Sequence, residues 1–165
     1  MLADGGRKAL WIPLTMPTYR KVGDTMTKNA EQAFTTQQPA GKTLLLVEAD
    51  ESVAFFLRLI IEEAFDCDVL VVPDARQALG LVRHLHVDLF ILTDAEGIEL
   101  YDRLHAQPGM ENVPAILLTT NMPRWQNEIM KRQLLGLSKP CRPTELLKAI
   151  TFLLTLARFK TGNAA

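Results

Sequence analysis

The sequence predicts an α/β domain: one doubly wound sheet of five parallel strands with helices on both faces. Two observations carry this. From Thr43 onward, short apolar runs alternate five times with segments whose apolar residues recur at helical spacing. The intervals between runs leave room for about one helix each, so each strand must cross over and lie parallel to another. Helices placed in that way cover both faces of one sheet. No internal repeat is visible, and 165 residues fit one domain plus an extension.

Each element has its own mark. Leu44–Val47 is a continuous apolar run, as in a strand covered on both faces. Glu51 to Phe65 follows as a helix, with Val53, Phe56, Leu57, Ile60 and Ala64 as its stripe. Asp68 to Val72 is the second strand. Asp74 is placed to cap the second helix, with Gln77 at the capping-box position. Asp88 to Leu92 is the third strand and Ile98 to His105 the third helix. Gln107-Pro108-Gly109 makes a turn before the fourth strand, Val113 to Leu118. Met122 to Lys131 is the fourth helix and Leu134 to Ser138 the fifth strand. Pro143 suits the first position of a last helix that ends near Phe159.

Residues 1–42 read as a flexible tail, punctuated by Gly5-Gly6, Pro13, Pro17, Gly23, Pro39 and Gly41. The folded domain is expected over residues 43–158, with 159–165 as a short terminal tail. A hydrophobic content of 48% against 22% charged residues suits a soluble globular protein. Residues 1–42 hold six Lys/Arg against three Asp/Glu, or +3, and residues 43–165 hold twelve against sixteen, or −4. Neither imbalance points to nucleic acid or an anionic membrane. No run reaches the ~18 apolar residues of a membrane span. Cys67 and Cys141 lack metal-ligand spacing and read as two buried thiols of a cytoplasmic protein.

Four pieces in order then narrow the fold. Leu44-Leu45-Leu46-Val47-Glu48-Ala49-Asp50 is a strand ending in acids. Val87-Asp88-Leu89-Phe90-Ile91-Leu92 is the third strand with its approach. Val113-Pro114-Ala115-Ile116-Leu117-Leu118-Thr119 ends the fourth strand on a hydroxyl. Lys139-Pro140, with Pro143, Glu145, Leu146 and Leu147, leads into the last helix. Together they resemble the receiver domain of bacterial response regulators, the CheY-like family, over about residues 43–157. The resemblance implies a flavodoxin-like sheet of order 2-1-3-4-5, with the site at the carboxyl ends of the strands. It also implies a role in phosphorelay, or two-component, signal transduction.

In such domains, acids after strand one and an acceptor Asp on strand three hold Mg²⁺. A lysine and a hydroxyl then stabilise the phosphoryl group. Here Glu48 matches the first acid, Thr119 the switch hydroxyl and Lys139 the lysine. Ala49 falls at the second acid and Thr93 at the acceptor, so two carboxylates are missing. Asp50 and Asp94 each stand one position late, and a one-residue slip in a strand turns a side chain to the opposite face. They remain as substitute carboxylates. The loop after Thr93 is short, and Gly136 stands where the family carries its aromatic switch residue. Lys139 is expected to serve structure, in a tight Lys-Pro turn and an ion pair with Glu48.

The expected function is a stand-alone pseudo-receiver, not an enzyme, acting by protein contact without Asp phosphorylation and needing no cofactor. The alternative is a receiver phosphorylated on Asp94 or Asp50, which would bring Mg²⁺ with it. A flavodoxin-like small-ligand binder or enzyme is the third option, though no strand-to-helix turn carries a Gly-rich phosphate cradle. Partners implied by the resemblance are a histidine kinase or another receiver, with a homodimer as a further option. The last helix carries a stripe of Leu146, Ile150, Leu153, Leu154 and Ala157 for the sheet. A second row, Ala149, Phe152, Leu156 and Phe159, is the candidate interface. His84, His86 and His105 read as solvent-facing or dipole-complementing histidines rather than metal ligands.

Overall fold

The computed structural model describes residues 41–162, apart from Ala95 and Gln133. The expected tail therefore lies outside the described residues up to its last two positions. Ten elements alternate strictly: β1 (Lys42–Val47), α1 (Glu51–Ala64), β2 (Cys67–Val72), α2 (Ala75–Val82), β3 (Leu89–Thr93), α3 (Gly97–His105), β4 (Ala115–Thr119), α4 (Met122–Arg132), β5 (Leu135–Ser138) and α5 (Pro143–Gly162). The sheet is entirely parallel, in the order β2-β1-β3-β4-β5. Strand boundaries shift by one or two residues from expectation, and α5 continues past Phe159 to Gly162.

The alternation of side chains along the strands builds two cores. On one face Leu45, Val47, Leu70, Val72, Phe90, Leu92 and Leu117 meet α2, α3 and Ile129 of α4. On the other, Leu44, Leu46, Val69, Val71, Leu89, Ile91, Ile116 and Leu118 meet α1 and α5. Adjacent residues in one strand thus serve opposite cores, which is why the runs are continuously apolar.

Local signals fix where the helices start. Asp50 caps α1, accepting from the Ser52 and Val53 N–H groups at 2.9 and 3.0 Å. Asp74 caps α2, accepting from the Gln77 N–H at 2.8 Å, while the Gln77 amide reaches back to it. Pro143 opens α5 as expected.

Two apolar stripes are corrected. In α1 the buried row is Ala54, Leu57 and Ile61, while Val53 and Phe56 are exposed. Both rows have helical spacing, so period alone cannot choose between them; packing on β2 and β1 does. In α5 Ala149 is buried beside Leu146, Ile150 and Leu153, and only Phe152, Leu156 and Phe159 of the candidate interface face outward. The small methyl of Ala149 fits against the sheet where a larger side chain would hold the helix away.

A polar clasp joins α3 to α4. The Arg132 guanidinium pairs with both carboxylate oxygens of Asp102, at 2.7 and 2.8 Å, and also engages Glu128. Hydrogen bonding to Arg132 holds the Asp102 carboxyl below its usual range. The Tyr101 hydroxyl donates to the Arg132 carbonyl at 2.8 Å, capping the end of α4. Of the two expectations for His105, solvent-facing or dipole-complementing, the first does not hold, while the residue does stand in the last turn of α3. It is half-buried, its ring centroid lies 3.9 Å from that of Tyr101, and Nε2 lies 2.7 Å from the Val113 carbonyl. Cys67 and Cys141 are free and half-buried rather than buried, and burial, reinforced by Glu62, Asp68 and Asp66, pushes the Cys67 thiol up to about 12.

Gly136 sits where α4 crosses β5. A Cβ there would stand 2.8 Å from Ile129 Cδ1 and 3.0 Å from Met122 Cε. Gly136→Phe is therefore expected to overpack this junction and cost about 1–3 kcal/mol, seen as a lower urea midpoint at unchanged slope. A second expectation concerns pH. Burial lowers the His105 pKa, outweighing the opposing pull of the Val113 carbonyl, Asp102 and Glu111. The unfolded chain then takes up the proton first as pH falls below the ordinary histidine value of about 6.5. Stability should drop as pH falls through that window toward the lowered folded value. His105→Gln should flatten this part of the urea-midpoint profile.

Candidate functional site

The carboxyl ends of β1, β3, β4 and β5 bring Glu48, Thr93, Asp94, Thr119 and Lys139 together. Glu48 follows β1 directly, and its N–H extends the ladder by donating to the Val72 carbonyl at 3.0 Å. Its side chain is almost fully buried, and both carboxylate oxygens are occupied. Oε1 accepts from the Asp50 N–H at 2.9 Å, and Oε2 from Lys139 Nζ at 3.2 Å. A buried carboxylate needs such partners, because desolvation without them costs several kcal/mol.

Lys139 follows β5. Its N–H donates to the Thr119 carbonyl at 2.8 Å, and the Lys139–Pro140 peptide bond is cis. The ammonium bridges two acids: Glu48, and Asp94 at 3.3 and 3.4 Å. The ion pair expected between Lys139 and Glu48 is thus present, with a second carboxylate beside it.

Asp94 reaches that position by a backbone turn. β3 ends at Thr93, and Asp94 takes φ +64°, the left-handed region that Asp tolerates better than most residues. Its N–H still donates to the Leu118 carbonyl at 2.9 Å, so it leaves the sheet in register with β4. Its own carbonyl accepts from Gly97 N–H at 3.1 Å, closing the short loop into α3. The alternation that turns strand neighbours to opposite faces has stopped applying here, and the carboxylate swings to Lys139. Asp tolerance of left-handed geometry is the one sequence signal that points to this turn.

The other candidate positions are engaged otherwise. The Thr93 hydroxyl donates to the Val47 carbonyl at 2.9 Å, tying β3 to the end of β1. Thr119 is 2% exposed, and its hydroxyl accepts from the Asn121 N–H at 3.1 Å. Asn121, unremarked in the sequence, caps α4 by accepting from the Arg124 N–H at 3.2 Å. Ala49 is exposed and offers only a methyl group. The Asp50 carboxylate is spent on capping α1 and is not turned to Lys139. The space over Gly136 is occupied by Met122 and Ile129.

A divalent cation such as Mg²⁺ calls for several oxygen ligands, most of them charged when the protein supplies them. Here the two converging carboxylates, Glu48 and Asp94, are both paired with Lys139, and Ala49 supplies no oxygen. The donor set does not fit the ion. Among the described residues no group of three or more His, Cys, Asp or Glu side chains is arranged to hold a metal. His84 and His86 are exposed, with His86 Nε2 lying 3.4 Å from Asp88. No helix of the described residues is long and apolar enough to cross a membrane.

Comparison with known proteins agrees with this architecture. Residues 44–151 match the model of the response regulator receiver domain. An uncharacterized 14.6 kDa protein encoded in the sodA1 3′ region of Leptolyngbya boryana is 29% identical over 120 residues, covering 69% of this chain and 91% of that protein. The receiver domain of a signal transduction histidine kinase from Syntrophus aciditrophicus is 28% identical, with a TM-score of 0.62, covering 70% of this chain and 91% of that one. A CheY-like receiver domain protein from Methanospirillum hungatei is 20% identical, with a TM-score of 0.66, covering 73% of this chain and 99% of that one. A match that spans every strand of the sheet, on a fold whose carboxyl edge gathers Glu48, Thr119 and Lys139, places the chain in the response-regulator receiver family of two-component signalling.

Proposed function

We propose that this receiver signals by protein contact, without catalysis and without an aspartyl phosphate at the strand-three position. One observation carries the reading. The residue at that position is Thr93, and its hydroxyl is tied to the Val47 carbonyl. A neutral hydroxyl held in a backbone hydrogen bond offers neither the charge to recruit a metal nor the carboxylate needed for an acyl phosphate. Ala49 removes a second ligand, and Met122 and Ile129 fill the space over Gly136. The Lys139 pairs then hold the β5–α5 turn against the end of β1.

The partner of such a module is a histidine kinase or another receiver, met through the exposed row of α5. Three large side chains at about 100 Å² each remove roughly 300 Å² of apolar surface per chain. A stable interface needs about 800 Å² per partner. The row alone falls short of that with any partner, so a stable interface here must also draw on surface beside it.

A second reading is favoured by the left-handed turn at Asp94, which sets a carboxylate beside Lys139. An oxygen of Asp94 could attack the phosphorus of acetyl phosphate, releasing acetate and leaving a mixed anhydride.

Two measurements test the proposal. Intact mass after incubation with acetyl phosphate and Mg²⁺ should be unchanged. A hydroxylamine-labile gain of one phosphoryl group, lost in Asp94→Ala, would transfer the case to the second reading. If Lys139 serves the fold, Lys139→Met should strand the buried Glu48 charge and destabilise by about 3 kcal/mol. Asp94→Ala should cost less than about 1 kcal/mol, because that carboxylate is largely in solvent. Equal small losses at both positions would argue that Lys139 is kept for chemistry.

A further inference from the structure

Phe152, Leu156 and Phe159 stand exposed on α5 at 55%, 41% and 69%. Spacings of four and three residues put them on one flank of the helix. The reason they lack cover is partly one of length. α5 has 20 residues and spans about 30 Å. The strands have four to six residues, roughly 13–20 Å. α5 leaves the carboxyl edge after β5 and runs back along the sheet, so its last turns overhang the amino edge. Phe159 belongs to the last turn and Leu156 to the turn before it.

The chain enters the sheet at the same edge, through Gly41 into β1. Before Gly41 the sequence holds an uncharged run, Ala9–Tyr19, that includes Leu10, Trp11, Ile12 and Leu14. We infer that Leu10–Leu14 docks on the Phe152–Leu156–Phe159 row of its own chain, so that a protein partner must displace it; this rests on the reading that the row is the partner surface.

Reach and concentration favour this occupant. Trp11 precedes Gly41 by 30 residues in the sequence, and an unstructured linker of that length would span roughly 30 Å. A domain of this size has a radius of gyration of about 14 Å, so the row is within easy reach. A short tether presents the segment at an effective concentration on the order of millimolar. A second copy at micromolar concentration therefore competes at a disadvantage of roughly a thousandfold. A small apolar row that cannot sustain a dimer is enough for a tethered segment, because much of the association entropy is already lost through the tether. The exposed pair Val53 and Phe56 is a poorer dock. It lies in the first turns of α1, at the carboxyl edge of the sheet and away from Gly41.

The test uses the full chain. Trp11 and Trp125 are its two tryptophans, so Trp125→Phe leaves Trp11 as the reporter. Its emission should be blue-shifted from that of free tryptophan and resistant to acrylamide. It should not change from micromolar to near-millimolar protein. Adding Phe152→Glu and Phe159→Glu should return the emission to the solvent value, with far-UV circular dichroism unchanged. Phe55→Glu, a charge placed in another exposed apolar position on α1, should leave the emission as it was. Solvent-like emission in the parent, or a blue shift that survives the paired glutamates, overturns the inference. A shift that grows with protein concentration also overturns it and makes the occupant's source a second copy. The phosphodonor and Lys139 measurements are independent of these substitutions, so the docking and the proposed function fail separately.

Discussion

A parallel strand cannot return to its neighbour through a tight turn. Each strand of this sheet is therefore followed by a helix that carries the chain back to the amino edge. That single constraint explains the strict alternation of ten elements, with α1 and α5 on one face of the sheet and α2, α3 and α4 on the other. It also requires every central strand to be apolar on both sides. Leu44 and Leu46 serve one core while Leu45 and Val47 serve the other, so a polar residue within β1 would be buried without a partner. Polar chemistry is possible only where the strands stop, which is why Glu48, Thr93, Asp94, Thr119 and Lys139 all cluster at one edge.

At that edge one ammonium bridges two carboxylates. Glu48 is buried, and its two oxygens are divided between a backbone N–H and the Lys139 ammonium. Lys139 in turn holds Asp94, and its own N–H is fixed to β4. The ends of β1, β3 and β5 are thereby linked through side chains as well as through the ladder. The same edge is stiffened by the Thr93 hydrogen bond to Val47 and by the Asn121 cap on α4.

Helix α5 departs most from the economy of the rest. Strands of four to six residues leave a 20-residue helix partly without a sheet beneath it. Its inner row is buried to the last atom at Leu146 and Ile150, yet Phe159 stands largely in water. This apolar surface lies outside the core that holds the helix.

Much of the fold was legible in the residues. Continuous apolar runs, the Asp74 cap with Gln77, and Pro143 at the head of α5 act over a few neighbouring positions, so sequence determines them directly. Strand order and the identity of Glu48, Thr119 and Lys139 as edge residues followed from the family resemblance. Three features were decided only in three dimensions. The buried row of α1 was one, because Val53/Phe56/Ile60 and Ala54/Leu57/Ile61 have the same period and only the sheet selects between them. Ala149 was another, since a methyl group suits either side of a helix until the distance to its neighbour is set. The turn at Asp94 was the third. Strand alternation turns a late residue away from the site, but alternation ends where the strand ends. It took the tertiary pairing of Asp94 with Leu118 and Lys139 to hold a left-handed backbone that the local sequence merely permits.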